Sequence, residues 1–222
     1  MASHANVILM TERAPPTLLS LEIPGPAGLL EALLRIPAAP AGAALVTHPH
    51  PSHGGTMHTK VVHRAARLLS ERFQLEALRF NFRGVGASAG EYDGGVGETE
   101  DVVAAAAWLR ARRPDGPFVL AGFSFGSLCA LRAANRVSPQ VLLLIGVPID
   151  RWDAAGEVPP ATRVLWIQGE NDEFSAAARA GEIAAARGWT FRVVPGADHF
   201  FSERLDEFES AAGDVLAEWL SE

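Results

Sequence analysis

Apolar residues in this chain fall into two alternating patterns, short continuous runs and longer stretches in which they recur every three or four positions. Residues 18–23 and 29–36 are strand-like runs around Pro24-Gly25-Pro26-Ala27-Gly28. They predict an antiparallel hairpin whose loop is longer than the tight two-residue kind. Residues 37–42 read as a linker and 43–47 as a third strand, ahead of a histidine- and proline-rich loop at 48–56. Residues 60–73 have helical spacing, with Val61, Ala65, Leu68 and Leu69 on one face. A strand over 76–82 leads into a glycine-rich loop at 83–97. A helix over 98–113 then buries Val102, Ala105, Ala106 and Leu109 before Pro114 stops it. A strand at 118–121 and a helix at 127–134 follow. Residues 141–147 form an unbroken apolar run, the mark of a strand buried on both faces. Beyond a loop at 148–160 come a strand at 163–168, an alanine-rich helix at 175–187 closed by Gly188, a last strand at 190–194 and a helix at 205–220.

After the hairpin, strands and helices alternate strictly. The expected fold class is therefore α/β: a mostly parallel sheet of about eight strands, helices on both faces, in a single domain over residues 1–222. In such a sheet, reactive groups gather where loops leave the C-terminal strand ends.

One such loop is Gly122-Phe123-Ser124-Phe125-Gly126, a G-x-S-x-G between strand and helix. An abrupt strand-to-helix turn holds its middle residue in a strained conformation and lifts Ser124 Oγ above the sheet edge. Glycines flank it because a Cβ there would strike the facing backbone. The helix N-terminus, with the N–H of Phe125, then faces the place where an oxyanion would form. The pattern alone also fits an ordinary turn carrying a solvated serine. The two cases separate on whether a base and a carboxylate follow at later strand ends.

Both follow. His199 lies just after the last strand. Asp172 lies in Gly169-Glu170-Asn171-Asp172-Glu173, after the strand before it, where a carboxylate can accept the histidine's Nδ1–H and fix its tautomer. Asp150, which also follows a strand, is the rival acid, and Asp153, Glu170, Glu173 and Asp198 are close in sequence. A second oxyanion donor is expected from the loop after the third strand. Pro49 and Pro51 have no N–H, so the choice narrows to His48 and His50, and His50, deeper in the loop, is preferred. Trp152 and Phe200 are candidate pocket walls. No metal is expected, since His48, His50, His53, His58 and His63 have no cysteine or carboxylate among them at ligand spacing. The roles of His48, His53, His58 and His63 stay open.

Charge narrows the partners. With 19 basic and 26 acidic residues the net charge is −7, which argues against nucleic acid and offers no basic patch to an anionic membrane. The single cysteine, Cys129, permits no internal disulfide, as suits a reducing compartment, and its place inside a helix marks it as a packed core thiol. Residues 1–6 lack the pattern of a signal peptide, and no run has the length of a membrane span. These features lead us to expect a cytoplasmic monomer or homodimer acting on a small-molecule acyl substrate.

The ordered set of G-x-S-x-G at Ser124, then Asp172, then His199 resembles the α/β-hydrolase superfamily over nearly the whole chain. Two longer stretches resemble a small bacterial branch near the dienelactone-hydrolase-like proteins. They are His48-Pro49-His50-Pro51 with Gly54-Gly55-Thr56-Met57, and residues 79–88 (RFNFRGVGAS) with Gly90-Glu91-Tyr92-Asp93. The resemblance implies a Ser-His-Asp triad and no cofactor. Dienelactone hydrolases carry a cysteine nucleophile where this chain has Ser124, so their substrate does not transfer. The glycine-rich loop beginning at Arg83 is expected to be structural, with Arg83 paired to a nearby carboxylate.

The expected reaction is cleavage of small acyl esters through an acyl-enzyme. The same residues would also serve acyl transfer to another acceptor, peroxide included, or thioester or amide cleavage, and a non-catalytic binding module on the same fold is the rival of another class. Residues 148–162, between two strands where this superfamily commonly inserts a lid, are too few for a cap domain. An open site with no cap is expected.

Overall fold

A computed structural model describes residues 14–153 and 156–220. Its strands are β1 (Thr17–Gly25), β2 (Gly28–Ile36), β3 (Gly42–Thr47), β4 (Leu75–Phe80), β5 (Phe118–Phe123), β6 (Val141–Ile145), β7 (Arg163–Gly169) and β8 (Thr190–Val194). The helices are α1 (Lys60–Glu71), α2 (Val96–Arg112), α3 (Phe125–Val137), α4 (Ala177–Ala186) and α5 (Leu205–Leu220). All eight strands join one sheet in the order β1-β2-β4-β3-β5-β6-β7-β8. The hairpin strand β2 runs antiparallel to β1 and to β4, and every pairing from β4 to β8 is parallel; the hairpin loop is the tight kind after all, only Pro26 and Ala27, because Gly25 and Gly28 pair across it.

The burial pattern explains the apolar runs. Every residue of β3, β4, β5 and β6 is buried, because helices cover both faces of the sheet there. Helices α1 and α5 close one face, over Val46, Ala121, Leu143 and Ile167. Helices α2, α3 and α4 close the other, over Leu45, Leu120, Leu144 and Trp166. Successive strand residues point to opposite cores, so both faces of these strands are mostly apolar, with the buried Glu76 and Arg79 of β4 among the exceptions.

Element ends differ from the periodicity where tertiary partners intervene. β4 stops at Phe80, not 82, because Phe82 turns its N–H to His48 Nε2, while Asn81 still donates to Glu31 O on β2. β6 stops at Ile145 because Gly146 takes φ 56°, a left-handed conformation open to glycine, and turns the chain away. Between β6 and β7, the N–H groups of Arg151 and Trp152 both bond to Pro148 O, and no helix forms among the described residues of this connection. No described residue of this connection caps the sheet edge. No helix among the described residues is long and apolar enough to cross a membrane.

The glycine-rich loop before α2 is tied down as expected of Arg83. Its main-chain N–H and its guanidinium both bond to Asp101, which is fully buried on α2. Glu98 accepts from the N–H groups of Asp93 and Gly95, which caps the same helix. Removing one partner of a buried pair leaves the other charge unmatched. Asp101→Ala should therefore lower unfolding stability by about 3 kcal/mol or more, read in urea as a fall in the transition midpoint at unchanged slope.

Candidate active site

Ser124 sits between β5 and α3 with φ 55° and ψ −122°, a conformation side-chain-bearing residues rarely adopt. The strain is held from both sides. Its N–H donates to Ile145 O at 2.8 Å, and its carbonyl accepts from Ser127 N (2.9 Å) and from the Ser127 hydroxyl. The spacing of the glycines follows from contact. A Cβ on Gly122 would lie 2.4 Å from Gly126 O, and one on Gly126 would lie 2.5 Å from His48 O. The Thr47 hydroxyl is shared between the carbonyls of Ala121 (3.2 Å) and Gly126 (2.9 Å), which locks β3 against this turn.

Three strand ends then converge. His199 Nε2 lies 2.8 Å from Ser124 Oγ, and His199 Nδ1 lies 2.7 Å from Asp172 Oδ2. All three residues are buried. Asp172 Oδ1 accepts from the N–H of Phe174 at 2.8 Å, and Oδ2 accepts from Gln168 Nε2. Acceptance by the carboxylate puts the imidazole proton on Nδ1 and leaves Nε2 free to accept from the serine hydroxyl. The rings of Phe174 and Phe123 pack on His199 with centroids 4.6 and 5.1 Å away and keep it from swinging out.

Gln168 is the residue that sequence reasoning missed. The Trp166 indole N–H, which can only donate, bonds to Gln168 Oε1 at 2.8 Å. That fixes the amide so that its NH₂ group faces Asp172. The signal was a fully buried amide closing an otherwise apolar strand run.

The rival acids have other partners. Asp150 pairs with Arg179 and accepts from Ala176 N at the start of α4. Asp198 accepts from Ser202 N, and Glu170 from Gly196 N. Glu173 accepts from the main-chain N–H of His199 at 3.3 Å, so it anchors that loop without touching the ring.

The loop after β3 carries His50 into the groove beside Ser124. His50 Nδ1 accepts from Ser52 N at 3.2 Å, so Nε2 carries the proton and donates to Tyr92 Oη at 3.1 Å. Its carbonyl accepts from His53 N and Gly55 N, both at 3.1 Å. The N–H groups of His50 and Phe125 bond to no acceptor among the described residues. Burial, and then the neighbouring His53, hold the His50 pKa below its usual range.

His48, left open by the sequence, is structural. It is buried, its Nδ1–H donates to Pro49 O at 2.7 Å, and its Nε2 accepts from Phe82 N at 3.0 Å, joining the ends of β3 and β4. Further along, Asn81 Oδ1 accepts from Met57 N at 2.9 Å and Arg79 Nη1 donates to Met57 O at 2.7 Å. The two motif-bearing stretches, 48–57 and 79–88, are thus two halves of one clamp on the His50 loop. His63 is half-buried on α1, its pKa lowered by burial and by nearby arginines. No group of three or more potential metal ligands occurs among the described residues.

The groove over these residues has a volume of about 640 Å³. Trp152 and Phe200 line it, together with His53, whose role the sequence left open, and with Phe174 and Arg151, which the sequence did not single out. Trp152 stands 5.7 Å from the His50 ring and 6.0 Å from that of Phe125, and Phe200 packs on Phe123.

A family profile described as alpha/beta hydrolase fold matches residues 52–147. XC6422 from Xanthomonas campestris, an α/β serine hydrolase without a lid, is 39% identical with a TM-score of 0.86, over 94% of this chain and 97% of that one. An α/β serine hydrolase homologue from Coxiella burnetii is 35% identical with a TM-score of 0.83, over 90% and 97%. The uncharacterized protein RP471 of Rickettsia prowazekii is 34% identical over 206 residues, 86% of each chain. The chain belongs to the α/β-hydrolase family, and it is built as a small lidless member.

His48 gives this clamp a pH dependence. Burial pushes its pKa down to about 4 from an ordinary 6.5. As pH falls the unfolded chain takes up the proton first, so this contribution to stability is complete above about pH 6.5 and is lost progressively toward pH 4. Between about pH 7 and pH 5 the loss is roughly 2 kcal/mol. Urea unfolding of His48→Gln should show a pH slope shallower than wild type by about that amount, whatever the variant's stability at pH 7.

Proposed function

We propose that this protein is a serine hydrolase that cleaves small acyl esters through an acyl-enzyme. The observation that carries the reading is the unbroken hydrogen-bonded line from Asp172 through His199 to Ser124, with the carboxylate further held by Phe174 N–H and Gln168. His199 Nε2 takes the proton as Ser124 Oγ attacks the carbonyl, and Asp172 stabilises the imidazolium that results. The tetrahedral oxygen is received by the N–H groups of Phe125 and His50. His199 then gives the proton to the leaving alkoxide, and a water molecule activated by the same ring releases the acid. Thr47, His48 and the Arg79–Asn81 clamp position the two oxyanion donors, so the polar work of the site is done without reorganisation during the reaction.

Ser124→Ala should abolish both p-nitrophenyl acetate hydrolysis and labelling by a fluorophosphonate while the fold is retained. Asp172→Asn should cost on the order of 10⁴ in kcat, because the amide cannot hold the Nδ1-protonated tautomer. Wild-type turnover in Ser124→Ala would reject the nucleophile. A protein that neither labels nor cleaves would be a binding module on a hydrolase fold.

The open groove sets the size preference. Burial of a methylene contributes about 0.8 kcal/mol only where a wall covers it, and no cap lies over the groove to extend its walls. kcat/KM over a series of p-nitrophenyl esters should therefore level off at short acyl chains, with no activation at the solubility limit. A steady rise beyond the octanoate would contradict this.

A further inference from the structure

Among the described residues, the groove beside Ser124 is lined by one formally charged side chain, Arg151, and by no carboxylate. That is unexpected in a chain of net charge −7. The remaining polar lining consists of three imidazoles, His50, His53 and His199, with Ser124 and Thr59. Asp172 is screened behind His199, with its side chain fully buried.

Arg151 is held in place yet keeps its charge uncommitted. Its main chain is fixed in the turn after β6 by the bond to Pro148 O. Its guanidinium carbon stands 5.7 Å from the centre of the Phe174 ring, which in turn packs edge-on against His199. Two ring contacts thus separate the cation from the imidazole on Ser124. Of the nearby acids, Asp150 is taken by Arg179 and the start of α4 and Glu173 by the His199 main chain, and Asp153 forms no ion pair with Arg151 among the described residues. No ion pair involves Arg151 among the described residues.

We propose that Arg151 is a specificity-determining residue that receives a carboxylate on the substrate, and that the preferred substrates are anionic esters. The inference rests on the ester-hydrolase reading above. The net negative protein repels such a molecule at long range, so the attraction must come from a local cation, and the low-dielectric wall of Phe174, Trp152 and Phe200 strengthens it at close range. The aromatic wall takes the apolar link between the carboxylate and the scissile carbonyl. Because Arg151 reaches the groove from the side of Phe174 and His199, the anion can be carried by the acyl part or by the leaving alcohol, and the test separates the two.

The measurement is the ratio of kcat/KM between an anionic ester and its neutral partner, taken within each protein. One pair is p-nitrophenyl hydrogen adipate and its methyl ester, with the charge on the acyl side. The other is O-acetyl-γ-hydroxybutyrate and its amide, with the charge on the alcohol side. In wild type at low ionic strength at least one pair should favour the anion. That ratio should fall by about five-fold or more in Arg151→Gln, fall further in Arg151→Glu, and be largely recovered in Arg151→Lys. About 0.5 M salt should shrink the wild-type preference toward that of Arg151→Gln. Equal ratios in wild type and Arg151→Gln for both pairs, with neutral esters still cleaved, would overturn the charge preference alone. Failure to cleave any ester, together with no fluorophosphonate labelling, would overturn the hydrolase reading and this inference with it.

Discussion

The close approach of backbone to backbone at residues 122–126 is the constraint around which the site is built. A positive φ at a serine costs about 1–3 kcal/mol and persists only where its surroundings over-determine it. Here the surroundings are Ile145 O on β6, the Ser127 hydroxyl on α3, and Thr47 with His48 O at the end of β3. Three separate elements press on one turn, so the strain is shared by the sheet and never relaxed locally. Oγ is left projecting toward the loops after β7 and β8, and the first free N–H of α3 is left at its side.

Polar groups on either flank of that turn are handled differently. On the acid side, a buried carboxylate is satisfied by donors from three directions: a main-chain N–H, an amide and an imidazole. The amide owes its orientation to an indole that can only donate. On the side of the loop after β3 the reverse holds, since the N–H groups of His50 and Phe125 bond to nothing among the described residues. The loop that presents His50 cannot drift, because His48, Asn81 and Arg79 bind its ends to β4. Saturation of one set of groups and vacancy of the other is the arrangement that stabilising a developing negative charge requires.

Much of this was legible in the sequence because it follows from local rules. Continuous apolar runs at 118–121 and 141–147 marked strands buried on both faces, and the glycine spacing marked the turn at Ser124. The chain order of serine, aspartate and histidine at successive strand ends placed three chemically matched groups on one sheet edge. Prolines at 49 and 51 narrowed the loop donor to two residues. Each of these readings rests on a property that a residue carries wherever it is: a missing N–H, a missing Cβ, an apolar side chain.

What the sequence could not express were relations that exist only once the chain is packed. The choice of Asp172 over Asp150 depends on which carboxylate finds His199 and which finds Arg179. The link from Trp166 through Gln168 to Asp172 exists only once a strand and its following loop are folded together. His48 and His50 are the same residue type and each has proline for a neighbour, yet one is a buried brace and the other a groove wall. Hydrogen-bond partners and desolvation are set by packing, and packing is decided by the register of the sheet. The sequence by itself determined the elements, their order and the turn at Ser124. Only the tertiary structure decided which carboxylate serves the histidine, which histidines are structural, and that a lone arginine stands on the rim of the groove.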